Sequence, residues 1–198
     1  MIYVYLGNEI NILKMRINEL ISSLDIKNII EYDYSNTSIN EILEEVCYID
    51  LFNEKKLIIV SSFTFKKMKD KEKESLKKYI DNMNENVIIF KCIDEKLDSK
   101  DSLIKKLKEK CKVVEIVKMD YKATHEFITK ILKDNGFNVS YDVVKKILSL
   151  CENNADYALK EIEKLMLYKI DDKNITIKDV EDTISKSNEK EMFTLIDA

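Results

Sequence analysis

Three short apolar runs constrain this chain most: Leu57-Ile58-Ile59-Val60, Val87-Ile88-Ile89-Phe90 and Val113-Val114-Glu115-Ile116-Val117. Runs of this length, apolar on both faces, fit strands buried on both sides, as in parallel sheets. Leu76, Tyr79, Ile80 and Met83 lie at helical spacing between the first two runs, and Leu103, Ile104 and Leu107 do so before the third. Parallel neighbours need a crossover, and a helix supplies it. The first fifty residues keep the same rhythm. Ile2 to Leu6 reads as a strand closed by Gly7-Asn8, and Leu13, Ile17, Leu20, Ile21 and Leu24 as a helix face. Ile26 to Tyr34 reads as a second strand. Ser38, with Glu41 three residues on, then opens a helix whose apolar face is Ile39, Ile42, Leu43 and Val46. The alternation predicts an α/β fold, a parallel sheet flanked by helices, ending near Met119.

The remainder is helical in pattern. Phe127, Ile128, Ile131 and Leu132 mark a helix that Gly136 can end in a left-handed conformation. Ser140 caps the next, with Val143, Val144, Ile147, Leu148 and Cys151 facing inward. Asn153 or Asn154 precedes a third, carrying Ala158, Ile162, Leu165 and Met166, within which Glu161 and Lys164 can pair weakly. Thr176 and Asp179 announce a fourth, with Val180 and Ile184 facing in. Ser187-Asn188 breaks the pattern, and Glu189 to Ala198 starts a new amphipathic segment with Met192, Phe193 and Ile196. The expected organisation is therefore an α/β domain over 1–120, a small helical domain over 121–186, and over 187–198 the start of a linker or helix toward a further domain.

Several function classes are disfavoured. A phosphate-binding loop needs a second glycine and a Gly-Lys-Ser/Thr corner after the first strand. Here those positions read Ile12, Leu13 and Lys14, so no nest of backbone N–H groups and no hydroxyl for magnesium is expected. Ser61-Ser62 and Lys91-Cys92 follow the runs ending at Val60 and Phe90, where a metal site would want carboxylates. His125 stands alone before an apolar helix face, which suits a surface or capping role. The four cysteines, Cys47, Cys92, Cys111 and Cys151, match no metal or redox spacing and are expected to be buried thiols of a cytoplasmic protein. Glu9, Lys14 and Arg16 interrupt any signal-peptide core, and no apolar run reaches membrane length. Thirty-seven acidic against 33 basic side chains, a formal charge of −4, argue against a protein that coats nucleic acid by charge alone. No catalytic residue, cofactor or metal is expected, and function should lie on a surface.

Two segments stand out as surfaces. In Asp50-Leu51-Phe52-Asn53-Glu54-Lys55-Lys56, Leu51 and Phe52 are adjacent, so one helical face cannot easily hide both. Either they plug the gap between helix and sheet, or they form an exposed apolar anchor for a partner's pocket, rimmed by Asp50, Asn53 and Lys55. In Phe63 to Lys73, five lysines face Asp70 and Glu72. This stretch follows a strand, where α/β proteins place functional loops. It is either a solvated loop or a weak phosphate contact through Lys66, Lys67 and Lys69.

Taken together, these residues resemble the delta-subunit family of bacterial DNA polymerase III, the wrench of the sliding-clamp loader. The likeness is carried by Tyr5-Leu6-Gly7-Asn8-Glu9, by Asp50-Leu51-Phe52 followed by Lys55-Lys56-Leu57-Ile58-Ile59-Val60, by Glu161-Ile162-Glu163-Lys164-Leu165 and by Phe193-Thr194-Leu195-Ile196-Asp197-Ala198. The resemblance implies an AAA+-like sheet domain and a helical lid-type domain that neither bind nor hydrolyse ATP. It implies that Leu51 and Phe52 enter a hydrophobic cleft of the beta sliding clamp and favour its opened ring. Partners implied are the clamp, the gamma/tau ATPase and delta-prime subunits, and primed DNA indirectly. Polymerase (nucleotidyltransferase) activity belongs to the assembled holoenzyme only. The collar domain that follows in such proteins is not evident here, and the single arginine, Arg16, is a poor arginine finger. Three other readings stay open: a P-loop-related enzyme with a variant loop, a nucleic-acid-binding adaptor acting through its lysines, and a structural fragment whose activity needs the collar.

Overall fold

The structure, a computed structural model, describes residues 1–48, 54–93 and 96–184. The chain divides into two compact units, Met1–Val117 and Lys118–Ala198.

The first unit is a five-stranded sheet. Its strands are β1 (Ile2–Leu6), β2 (Asn28–Asp33), β3 (Lys56–Ser61), β4 (Val87–Cys92) and β5 (Lys112–Glu115), in the order β2-β3-β4-β1-β5. Every pairing is parallel. The crossovers run through α1 (Ile10–Leu24), α2 (Ile39–Cys47), α3 (Asp70–Asp81) and α4 (Ser102–Lys110). Because strand side chains alternate, each central strand feeds two cores. Ile2, Val4, Leu6, Ile58, Val60, Ile88 and Phe90 pack against α2, α3 and α4. Tyr3, Tyr5, Leu57, Ile59, Val87 and Ile89 pack against Leu13 and Ile17 of α1.

The third apolar run departs from the expectation of burial on both faces. β5 covers only Lys112–Glu115 and its valines are half-buried, while Val117 beyond it is 64% exposed. The cause is position: β5 is an edge strand with β1 as its one neighbour. β2, at the other edge, shows the alternation of a half-covered strand.

Gly7 ends β1 at φ +146°, and a Cβ there would lie 2.6 Å from the Ile116 carbonyl oxygen. Its N–H donates to the Cys92 carbonyl, and Ile116 N–H donates to that of Leu6. The glycine lets neighbouring backbone approach closely, which is a packing role.

The second unit holds α5 (Tyr121–Asp134), α6 (Tyr141–Leu150), α7 (Ala155–Tyr168) and α8 (Ile177–Thr183). Its buried residues include Ile128, Leu132, Val144, Ile147, Leu148, Ala158, Ile162, Leu165 and Val180. The expected caps form: Ser140 accepts from Val143 N–H, Asn154 from Tyr157 N–H, and Thr176 exchanges bonds with Asp179 in a capping box. Gly136, at φ +81°, closes α5. Its N–H reaches the Lys133 carbonyl while Phe137 N–H reaches that of Leu132, the paired bonds of a Schellman motif. Glu161 is not the ordinary surface partner expected. It is 2% exposed, and Lys164 Nζ lies 2.6 Å from Oε2 without the alignment of a hydrogen bond.

Candidate functional site

The connection from α2 to β3 carries the strongest candidates. Asp50, Leu51, Phe52 and Asn53 lie outside the described residues, but both stems of the connection are described. On the first stem, α2 buries Ile39, Ile42, Leu43 and Val46 as its spacing predicts, and Ser38 Oγ accepts from Glu41 N–H. The helix ends at Tyr48, a residue 63% exposed, whose N–H caps the Glu44 and Glu45 carbonyls. Cys47 on the last turn is exposed, against the expectation of a buried thiol, because the inward face of that turn belongs to Val46. Of the other cysteines, Cys92 and Cys151 are buried and Cys111 is half-buried. Burial pushes the Cys111 thiol up to about 11, and burial beside Glu161 pushes Cys151 up to about 12.

On the second stem, Lys55 is exposed and reaches Glu85 at 3.5 Å, a weak surface pair. Lys56 points the other way and is 4% exposed. Its Nζ donates to Glu45 Oε1 at 2.6 Å and sits 4.7 Å from the centre of the Tyr48 ring. Its backbone N–H donates to Asn86 Oδ1 at 2.8 Å. The Asn86 and Asn84 side-chain amides both donate to the Val46 carbonyl, at 2.7 and 2.8 Å. The two stems are thus joined by polar groups from the turn before β4. Sequence reasoning missed Glu45, Lys56, Asn84 and Asn86, because the bonds from the asparagines span 30 to 40 residues. The one local signal was a lysine at the first position of a buried strand.

The lysine-rich stretch is built on aromatic residues. After β3, Ser62 takes a left-handed conformation at φ +54°, and Phe63 N–H donates to the Lys91 carbonyl. Phe63 is buried with ring centroids 4.2 Å from Phe90, 4.6 Å from Tyr34 and 4.8 Å from Phe65. Phe65 starts a single 3₁₀ turn, Phe65–Lys67, capped by Thr64, and Met68 is buried behind it. With Phe63, Phe65 and Met68 inside, Lys66, Lys67 and Lys69 face solvent. Lys69 N–H donates to the Glu72 carboxylate and opens α3. Lys73 does not join them: it pairs with Asp101 at 2.6 Å, and that contact holds the Asp101 carboxyl below its usual range.

In the second unit His125 stacks on Tyr141 at 4.2 Å between ring centroids, with Nε2 3.3 Å from the Tyr141 carbonyl oxygen. No group of three or more metal-ligating side chains occurs among the described residues. Among them, no helix is long and apolar enough to cross a membrane.

The parallel sheet covered by helices is an AAA+-like α/β fold. The chain resembles the Thermotoga maritima RuvB Holliday junction branch migration motor with a TM-score of 0.57 at 13% identity, over 98% of this chain and 68% of that one. It resembles the Bacillus subtilis DNA clamp loader delta protein (YqeN) with a TM-score of 0.71 at 20% identity, over 99% of this chain and 61% of that one. The sequence profile of the family "DNA polymerase III, delta subunit" matches residues 3–117, and the chain belongs to that family. A curated relative, DNA polymerase III subunit delta of Bacillus subtilis (strain 168), is 24% identical over 207 residues, which cover 98% of this chain. The chain spans about three-fifths of that relative's length.

Proposed function

We propose that this chain is a non-catalytic clamp-loader subunit that binds the beta sliding clamp in the cytoplasm and stabilises its opened ring for loading onto DNA. The observation that carries the reading is the family match over residues 3–117, which includes the α2–β3 connection. Leu51 and Phe52 are the proposed anchors, with Asp50, Asn53 and Lys55 as their rim. Binding that favours the strained, opened form of a ring shifts its population toward that form without any chemistry in this chain. Gly7 supports the non-catalytic part, since close packing against Ile116 accounts for it without a phosphate ligand. We further propose that 121–186 is the lid-type domain and that 187–198 leads toward a collar holding the gamma/tau and delta-prime subunits. Residues 185–198 lie outside the described residues.

Calorimetric titration with the clamp of the same organism tests the reading. Leu51→Ala/Phe52→Ala is expected to keep its circular dichroism spectrum and lose roughly 2–4 kcal/mol of binding. Failure of the unaltered chain to bind would refute it. Primed DNA is a secondary partner on this reading, touched through Lys66, Lys67 and Lys69. Their exposure on a buried aromatic base favours that contact. If these lysines were instead the main surface, DNA affinity would fall steeply with salt, and the Leu51/Phe52 variant would leave it unchanged.

A further inference from the structure

Val46 and Lys56 bracket nine residues, and the structure ties these two positions to one short turn. Asn86 makes the central bonds. Its Oδ1 takes the backbone N–H that opens β3, and its Nδ2 donates to the Val46 carbonyl at the end of α2. Asn84 donates to the same carbonyl and is itself held from two sides. Its Oδ1 accepts from the Tyr79 hydroxyl at 2.9 Å and from Asn86 N–H at 3.1 Å. The Lys56–Glu45 ion pair crosses the stems a second time.

Helix capping alone does not account for this arrangement. A carbonyl in the last turn of a helix needs one donor and can take it from water. Here it receives two side-chain amides, the Asn86 one buried, and a lysine is taken out of solvent to bond the preceding residue. Burying a cation is unfavourable unless it is paired and aligned, so such an arrangement is costly as mere filler. What the bonds accomplish together is a fixed span between Val46 and Lys56, across which the intervening chain must close. A surface whose backbone is set before binding loses less entropy when a partner arrives.

We infer that Asn86, with Asn84 and Lys56, is a positioning group that sets the two stems of the clamp-binding connection in the binding geometry. The inference rests on the clamp-binding reading above. These residues touch no partner in it; they act through the placement of Leu51 and Phe52.

The test uses the whole chain and its clamp, titrated calorimetrically. The variants are Asn86→Ala, Lys56→Met, Phe52→Ala and the Asn86→Ala/Phe52→Ala pair. Lys56→Met keeps an unbranched apolar stem in the buried position and guards against a folding failure of Asn86→Ala. Hydrogen exchange at the Lys56 amide and across β1 and β4 reports whether loosening stays local. Each single change at Asn86 or Lys56 is expected to weaken clamp binding about tenfold, the equivalent of one or two hydrogen bonds. Exchange should speed at the Lys56 amide in Asn86→Ala and stay slow in β1 and β4. The effect of Asn86→Ala should shrink in the Phe52→Ala background, because neighbouring contributions that act through one contact are not additive. A purely structural role would leave the two losses additive, which would overturn the inference. So would unaltered affinity in folded Asn86→Ala and Lys56→Met while Phe52→Ala binds weakly; the clamp reading would then survive alone. An unaltered chain that does not bind the clamp would remove both.

Discussion

Gly7 and Lys56 show how a single residue can mean something other than its local pattern suggests. A glycine after the first strand of an α/β domain suggests phosphate binding, yet a Cβ here would meet backbone 2.6 Å away. The φ of +146° adds a conformational penalty for any L side chain. Gly7→Ala is therefore expected to destabilise the chain by about 1–3 kcal/mol, read as a lower urea midpoint with an unchanged slope. An unchanged midpoint would mean that Ile116 can move aside. Lys56 is the converse case. Its neighbour Lys55 has the same side chain and stays exposed, so composition could not separate the two. What separates them is strand alternation combined with contacts from Glu45 and Asn86, which only the folded chain brings together.

At the scale of elements, the ends of helices were the most legible feature. Capping is a bond between residues two or three apart, so Ser38, Ser140 and Thr176 could be recognised from spacing alone, and Asn154 as one of two neighbouring asparagines. Strand burial was less legible, since Val113 to Val117, Glu115 apart, is as apolar as the central strands and is left half-covered by lying at an edge. At the α2–β3 connection the sequence offers Leu51 and Phe52 as an expectation, whereas the bonds that join the two stems come from distant elements and leave no local pattern. The start of α8 also predicts a pH response. Hydrogen bonding to Lys169, then to Asn174, holds the Asp172 carboxyl down to about 2. Bonds from Thr176 hold Asp179 below its usual value as well. A carboxylate with a folded pKa below its unfolded one adds stability above the unfolded value, near 4, and loses it as pH falls toward 2. Thermal melts of the chain should decline between pH 4 and pH 2. Asp172→Asn should show a shallower decline in that window and a lower melting temperature at pH 6. Identical pH profiles would show that the Lys169 contacts contribute nothing in solution.

For the molecule as a whole, the division after Val117 separates what the proposed function needs from what it does not. Residues 1–117 contain the five strands of the sheet, the four helices on its two faces, the α2–β3 connection and Glu45, Lys56, Asn84 and Asn86, which join its stems. Both hydrophobic clusters of the sheet close within this stretch. A domain of this size buries enough surface to fold alone, whereas a helical unit of some 65 residues sits near the lower limit. A chain of residues 1–117 is therefore expected to melt cooperatively and to bind the clamp within about threefold of the longer chain, a difference under 1 kcal/mol. Circular dichroism and the same calorimetric titration check both parts. A folded 1–117 chain without clamp affinity would mean that the partner surface extends onto the helical unit. In that case Leu51 and Phe52 would be one contact among several, and the expected loss from their removal would fall below the anchor value.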